Sequence, residues 1–148
     1  MSDRLVKIIP ADPYKAISDA TLREAKDYLQ NAIRCDSITI QTSAYPAFVD
    51  CGGNLERISC PVCHSEIGFE WWGATMDRAY EEAFRKLDVV LPCCGETVSL
   101  NDLQYDFPCG FSTCAIELRN PIAPIDAAAL DTVKGILKTD VRVICARL

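Results

Sequence analysis

Residues 60–64, Cys-Pro-Val-Cys-His, and residues 91–95, Leu-Pro-Cys-Cys-Gly, are the two stretches around which this chain is organised. Two cysteines spaced as Cys-x-x-Cys in one tight turn can bind the same ion, and a second cysteine turn roughly thirty residues later is typical of a structural zinc site. Four protein ligands would close such a site, which favours a structural rather than a catalytic ion. The predicted zinc ligands are Cys60, Cys63, Cys93 and Cys94.

The second turn has an irregular spacing. A regular zinc knuckle would have cysteine at position 91, where this chain has Leu91, as well as at Cys94. Either both neighbouring thiols of the second turn bind the ion, or another residue completes the tetrahedron. The next candidate ligands are His64, Cys51 and Cys109. The opposing interpretation is that these thiols stay reduced and bind no metal, because short motifs also occur by chance.

Outside the cysteine turns, hydrophobic periodicity predicts two copies of the order strand, helix, strand. The predicted elements are strand 5–9, helix 22–33, strand 37–42, strand 112–119, helix 126–137 and strand 141–148. This order predicts the α+β class, with a ferredoxin-like split βαβ sheet that carries two helices on one face. The last strand is nearly all apolar, which predicts a central position in the sheet.

The segment between the two halves predicts an insertion of the zinc-ribbon type. We place it at residues 50–110 of a single domain that covers residues 1–148. Residues 55–59 and 67–71 flank the first cysteine turn and can pair as a β-ribbon. Thr75 can cap a helix that follows, because its apolar residues recur with helical spacing. The insertion is thus expected to supply strands and a helix of its own.

Composition excludes some classes of function. The chain has 148 residues, of which 49% are hydrophobic, enough for one well-buried core. A net charge of -6 disfavours non-specific binding to nucleic acid and suits a basic protein partner. No stretch has the pattern of a signal peptide or the apolar length of a membrane span, so we expect a cytoplasmic protein. In that compartment, nine cysteines are expected as metal ligands or buried thiols rather than as disulfides.

Other cofactor and enzyme patterns fit the sequence less well. Residues 60–64 match the attachment pattern of c-type haem, which requires an exported chain. His64 and Glu66, with the second cysteine turn, match part of a zinc deaminase signature, but Glu96 stands where that signature needs cysteine. The sequence has one histidine and neither a Gly-x-Ser-x-Gly elbow nor a phosphate-binding loop. No catalytic residues are therefore predicted.

Aromatic and acidic residues near the predicted metal site could form a surface for a protein partner. Aromatic side chains contribute much of the binding energy at interfaces, and neighbouring carboxylates suit a basic partner. The alternative is that the aromatic rings fill a small core around the metal. The predicted partner-binding residues are Trp71, Trp72, Asp102, Tyr105, Asp106 and Phe107.

Residues 60–63, 91–95 and 99–105, followed by Gly110-Phe111 and residues 119–121, resemble a group of small bacterial zinc-ribbon-like proteins of unknown function. The resemblance implies a metal site and supplies no activity. Members of the group commonly have glycine at the position of His64, which implies that His64 is not an essential ligand. Some members carry a transporter-ATPase label, which the missing phosphate-binding loop contradicts for this chain.

These features favour a non-enzymatic zinc-binding protein that interacts with another protein. A concrete form is an immunity or antitoxin-type inhibitor whose acidic surface covers a basic toxin. One alternative is a nucleic-acid-binding or regulatory zinc-ribbon protein, which requires a local basic face. The other is a zinc-dependent hydrolase or deaminase, which requires an open metal position beside Glu66.

Overall fold

A computed structural model describes residues 3–147 and has an α+β fold. The strands are β1 (Arg4–Pro10), β2 (Ser37–Val49), β3 (Ile58–Ser59), β4 (Glu66–Ile67), β5 (Asp88–Val90), β6 (Thr97–Ser99), β7 (Gln104–Tyr105), β8 (Gly110–Arg119) and β9 (Val141–Arg147). The helices are α1 (Asp19–Ala32), α2 (Phe69–Glu81) and α3 (Ala127–Leu137), with a short 3-10 helix at Leu100–Asp102. Each of the six elements predicted for the two strand, helix, strand halves is present.

The four long strands form one antiparallel sheet in the order β2-β8-β1-β9. Ile116 of β8 lies opposite Ile8 of β1 on one side and Ile40 of β2 on the other. Because side chains alternate between the two faces of a strand, this register gathers the apolar residues of three strands on one face. Strand β9 lies at the edge, so the prediction of a central position is wrong. Its apolar side chains are covered from the two faces of the sheet, where Val141 and Ile144 pack into different cores.

Helices α1 and α3 pack together on one face of this sheet. Ser18 and Asp126 cap their first turns by accepting backbone N–H hydrogen bonds through their side-chain oxygens. Leu22 and Leu29 of α1 are fully buried in the core, and each such leucine contributes about 1.5–3 kcal/mol by leaving water. None of the helices in residues 3–147 combines the length and the hydropathy needed to cross a bilayer.

Residues 50–109, which join β2 to β8 and are called the inserted segment below, contain two small sheets and helix α2. One sheet has the order β4-β3-β7, and the other pairs β5 with β6. Their shared apolar core includes Ile58 and Ile67 from the first sheet and Met76 and Ala79 from α2. Each cysteine turn therefore joins the two strands of one hairpin, β3-β4 or β5-β6.

A third apolar cluster connects this segment to the large sheet. Ile9 and Ala115 contribute to it from the sheet, together with Cys51 and Cys109 from the two ends of the inserted segment. Ile9 and Ala115 alternate with residues that face α1 and α3, so the third cluster lies on the opposite face of the sheet.

The predicted β-ribbon around the first cysteine turn is present, since Ile58 pairs with Ile67. Its second strand ends at Ile67 rather than at position 71, because helix α2 begins at Phe69, and the predicted cap at Thr75 is wrong. Gly68 occupies the N-cap position, and Thr75 is buried inside the helix. The physical reason is that Trp72 continues the helical apolar spacing of Thr75, Met76 and Ala79 towards the amino terminus.

Candidate metal centre

The four predicted zinc ligands lie together in the structure. The Sγ atoms of Cys60, Cys63, Cys93 and Cys94 are all within 4.8 Å of one another. The Sγ atoms of Cys60 and Cys94 are 3.8 Å apart. Four thiolates bound tetrahedrally at about 2.3 Å from zinc are about 3.8 Å from one another. The donor set and its spacing therefore fit a thiophilic metal ion.

Two turns with the same hydrogen bonds present these thiols: residues 60–65 and residues 91–96. In each turn the N–H of the first residue donates to the carbonyl of the sixth at 2.9 Å, and the N–H of the fifth donates to the carbonyl of the first at 3.0 Å. The fifth residue has a positive φ in both, 62° at His64 and 75° at Gly95. The two turns are thus equivalent residue by residue.

This equivalence explains the irregular spacing of the second turn. Leu91 corresponds to Cys60, and its side chain is buried in the apolar core instead of facing the other thiols. Cys93 corresponds to Val62, which is exposed in the first turn. Cys94 corresponds to the second cysteine of the first turn. The first cysteine of the second turn thus stands at the third position instead of the first, and its sulfur still lies within the cluster.

Backbone N–H groups point at the sulfur of Cys60, the buried member of the four-thiol cluster. Its Sγ accepts from the N–H of Val62 at 3.3 Å and from the N–H of Cys63 at 3.4 Å. Hydrogen bonds to a sulfur favour its charged form. The turn is therefore arranged to hold a thiolate at this position.

The thiols differ in how easily they ionise. Hydrogen bonds with the side chain and backbone of Ser65 lower the pKa of Cys63 to about 6. Burial, followed by interaction with the thiols of Cys63 and Cys60, raises the pKa of Cys93 to about 12. Four thiolates at this spacing repel one another, and a divalent cation supplies the charge that allows all four to lose their protons.

His64 and Glu66 are placed outside the cluster. His64 is exposed, and the group of close metal-binding side chains contains cysteines alone among residues 3–147. The Glu66 carboxylate lies 3.6 Å from the guanidinium of Arg57, and both side chains are exposed. Neither residue is positioned against the four thiols as a deaminase would require.

Cys51 and Cys109 form a separate pair. Their Sγ atoms are 3.2 Å apart, and both residues are 1% exposed within the apolar cluster below the large sheet. The structure therefore brings these two candidate ligands to each other rather than to the four-thiol cluster.

Of the predicted partner-binding residues, the aromatic ones in α2 and β7 face inward to a large extent. Trp71, Trp72 and Tyr105 are partly buried against the core of the inserted segment. The indole N–H of Trp72 donates to the Tyr105 hydroxyl at 3.3 Å, and that hydroxyl donates to the Leu100 carbonyl at 2.7 Å. Burial raises the pKa of Tyr105. These contacts tie α2 to the third strand of the small sheet.

The other three predicted partner-binding residues, Asp102, Asp106 and Phe107, are exposed. The Asp106 carboxylate also accepts from the backbone N–H of Glu56 at 3.2 Å and of Phe107 at 3.0 Å. Burial opposes ionisation of Asp106, but these backbone bonds outweigh it and lower its pKa. This carboxylate therefore holds two loops together while remaining at the surface.

Two residues that shape the site cannot be identified from the cysteine spacing. Ser65 is hydrogen bonded to Cys63, and Leu91 fills the core where a ligand would stand. Aligning the two turns on their shared proline, Pro61 with Pro92, places Leu91 at the position of Cys60, whereas no sequence pattern points to Ser65.

Comparison with known proteins gives no significant match to a family model, a curated protein or a solved structure. The function is therefore inferred from the geometry and chemistry described above.

Proposed function

We propose that the protein binds one zinc ion through Cys60, Cys63, Cys93 and Cys94, and that the ion has a structural role. The observation that carries this proposal is the mutual proximity of the four Sγ atoms, within 4.8 Å. Soft thiolate donors in a tetrahedral set favour zinc over the harder divalent ions. Four protein ligands leave no coordination position for a substrate.

The ion would join two hairpins whose strands are very short. Strands β3 and β4 have two residues each, and β5 and β6 have three each. Such short hairpins are marginal alone. Binding of structural zinc contributes about 10–16 kcal/mol in small zinc-finger peptides at neutral pH, enough to fold them. Zinc would in this way fold the segment between β2 and β8.

Two descriptions of the fold belong to this proposal. The antiparallel order β2-β8-β1-β9 supports a ferredoxin-like split βαβ sheet. The two equivalent turns, each at the end of a short hairpin, support a zinc-ribbon-like insertion.

Elemental analysis of the purified protein tests the metal proposal. We expect about one zinc per chain in the wild type, and loss of most of it in Cys60→Ser and Cys93→Ser. Cys145→Ser is the matched control, because Cys145 is an exposed thiol outside the cluster. Iron in place of zinc would change the identity of the ion, and full zinc in Cys93→Ser would contradict the four-ligand set.

For the biological role, we propose binding of a basic protein partner, in the manner of an immunity or antitoxin-type inhibitor in the bacterial cytoplasm. The net charge of -6 supports it. Exposed Asp102 precedes strand β7 and exposed Asp106 and Phe107 follow it, and Phe69, also exposed, packs against the partly buried Trp72. This combination of aromatic and acidic surface suits a basic partner.

Co-purification from native extract, with a charge-reversed pair of variants, tests this role. Asp102→Lys should reduce recovery of the partner about tenfold or more, because a like charge at a complementary interface costs affinity. Asp131→Lys is the control, since Asp131 is an exposed residue of α3, on the helix-covered face of the sheet. Equal recovery by the two variants, or a partner that is an acidic protein, would contradict the proposal.

The two alternatives have weaker support. Nucleic-acid binding would need free basic side chains, but Arg142 donates to the Cys109 carbonyl and Arg85, at the surface, lies 4.9 Å from the Tyr45 ring centroid. For a hydrolase, the four-thiol donor set and the pairing of Glu66 with Arg57 argue against an open catalytic metal.

A further inference from the structure

The two buried thiols of Cys51 and Cys109 lie where the inserted segment leaves and rejoins the large sheet. Cys51 follows the end of β2, and Cys109 directly precedes β8. Val49 pairs with Gly110 in the last register position of these two strands. The two cysteines therefore lie just beyond the paired ends of adjacent strands. The 3.2 Å between their sulfurs is a contact distance that a small movement converts to a bond.

The backbone around each thiol is fixed by independent contacts. Gly52 has a φ of 63°, and a Cβ there would come within 2.4 Å of the Arg147 carbonyl, so the turn after Cys51 lies tightly against β9. On the other side, Arg142 donates to the Cys109 carbonyl at 2.7 Å. These contacts therefore fix both cysteines at neighbouring positions in the folded protein.

We propose that Cys51 and Cys109 form a disulfide that closes the base of the inserted segment. The bond would link the ends of residues 52–108, which contain both small sheets, α2 and all four cysteines of the metal centre. The site is separate from the metal centre and does not depend on the metal proposal. It differs from the expectation that the cysteines outside the metal site are reduced thiols, and in the reducing cytoplasm proposed above the bond persists because the closed apolar cluster keeps reductants from it.

The oxidant is a small disulfide of the glutathione class, which reacts while the segment is still open during folding. The thiolate of Cys109 attacks one sulfur of the small disulfide, forms a mixed disulfide and releases one glutathione thiolate. The thiolate of Cys51 then attacks the Cys109 sulfur and releases the second glutathione. Two protein thiols are oxidised and one small disulfide is reduced, and the two protons lost by the protein thiols are taken up by the two glutathione thiolates.

The apolar surroundings of Cys51 and Cys109 explain why the two thiols should react slowly with glutathione disulfide once the protein is folded. Ile9, Ala115 and Ile144 surround the pair, and neither cysteine is more than 1% exposed. Burial and the neighbouring Cys51 thiol raise the pKa of Cys109. A buried and protonated thiol attacks disulfides slowly. The bond is therefore made before the cluster closes and is protected afterwards.

Refolding of the full chain tests the proposal. The reduced, unfolded protein is refolded with zinc in a glutathione redox buffer, free thiols are alkylated, and the product is analysed by intact mass and peptide mapping. We expect one disulfide, between Cys51 and Cys109. It should be absent from Cys51→Ala and Cys109→Ala and retained in Cys114→Ala, a buried cysteine of the other core.

A second measurement covers variants that fail to fold. The oxidised wild type should unfold at a temperature about 5–15 °C higher than the same protein after reduction of this bond, because the bond restricts a long loop in the unfolded chain. Complete alkylation of both Cys51 and Cys109 after refolding would overturn the proposal. A bond from either of them to another cysteine, or a stable glutathione adduct, would do the same.

Discussion

The large sheet with its two helices and the segment between β2 and β8 differ in what holds them together. Strands of the large sheet have 7 to 13 residues, and α1 and α3 are capped and cover one face. Strands of the inserted segment have two or three residues. Long strands form many backbone hydrogen bonds and bury a continuous apolar face, whereas short ones need a cross-link. The comparison teaches that both regions bury an apolar core, but the short strands give the inserted segment fewer backbone hydrogen bonds, which the proposed metal centre would offset.

Removal of the metal should make the two regions unfold in separate transitions, and this is the largest effect we expect. We expect the inserted segment to unfold at a much lower denaturant concentration without metal, while α1 and α3 keep their helical signal. Both tryptophans of the chain lie in α2, so tryptophan fluorescence measures the inserted segment, and far-ultraviolet circular dichroism also measures the other helices. Loss of both signals at the same denaturant concentration, with and without chelator, would contradict the distinction.

A variant with a regular second turn tests whether Cys93 takes the role of a cysteine at position 91. In Leu91→Cys/Cys93→Val, the turn acquires the Cys-Pro-x-Cys spacing of the first turn. We expect one zinc per chain to be retained and the free energy of unfolding to fall by about 1–3 kcal/mol, because the buried leucine is lost. The single variant Cys93→Val should instead lose zinc. Zinc analysis and denaturant titration check both. Retained zinc in the single variant would show that the fourth ligand is another group.

Substitutions at the fifth position of each turn should change stability by a smaller amount, and the sign should differ between the two hairpins. His64 and Gly95 both have positive φ, which is costly for a residue with a Cβ. His64→Gly should therefore stabilise the inserted segment, and Gly95→Ala should destabilise it, each by about 1 kcal/mol. Zinc content should stay unchanged in both. Loss of zinc from His64→Gly would mean that His64 contributes to binding the ion.

Acidification should destabilise the inserted segment first and the large sheet afterwards. The loss of stability in the sheet is the smallest effect predicted here. Protons compete with metal for thiolates, so the inserted segment loses its ion first. In the sheet, a hydrogen bond from Asn120 and the charge of Arg119 lower the pKa of Asp3 below its ordinary value of 3.8. A lowered pKa means stabilisation that is complete above about pH 4 and is lost as the pH falls through the folded value.

The matched variant for this experiment is Asp3→Asn. Its stability should differ slightly from that of the wild type at neutral pH, and the difference should disappear below the pKa of Asp3. Denaturant titration followed by circular dichroism at several pH values measures it. A difference that grows on acidification would contradict the assigned direction.

Much of the α+β arrangement could be predicted from local patterns. Apolar spacing located α1 and α3, and alternation located β8, because helices and strands that bury one face carry that periodicity in the chain. The start of α2 was missed, since Thr75 has the chemistry of a cap and yet lies inside a longer apolar stripe. Strand β9 was placed wrongly because an apolar sequence does not specify which neighbour covers it.

The sequence by itself determined which residues could bind a metal, because the chemistry of a thiol and the tightness of a Cys-x-x-Cys turn are local properties. Tertiary structure alone decided that Cys93 reaches the first turn in place of Leu91. It also decided that Cys51 meets Cys109 instead of the four-thiol cluster. Both outcomes depend on pairing between strands that are distant in the chain, and such pairing follows from the burial of whole faces rather than from any short motif.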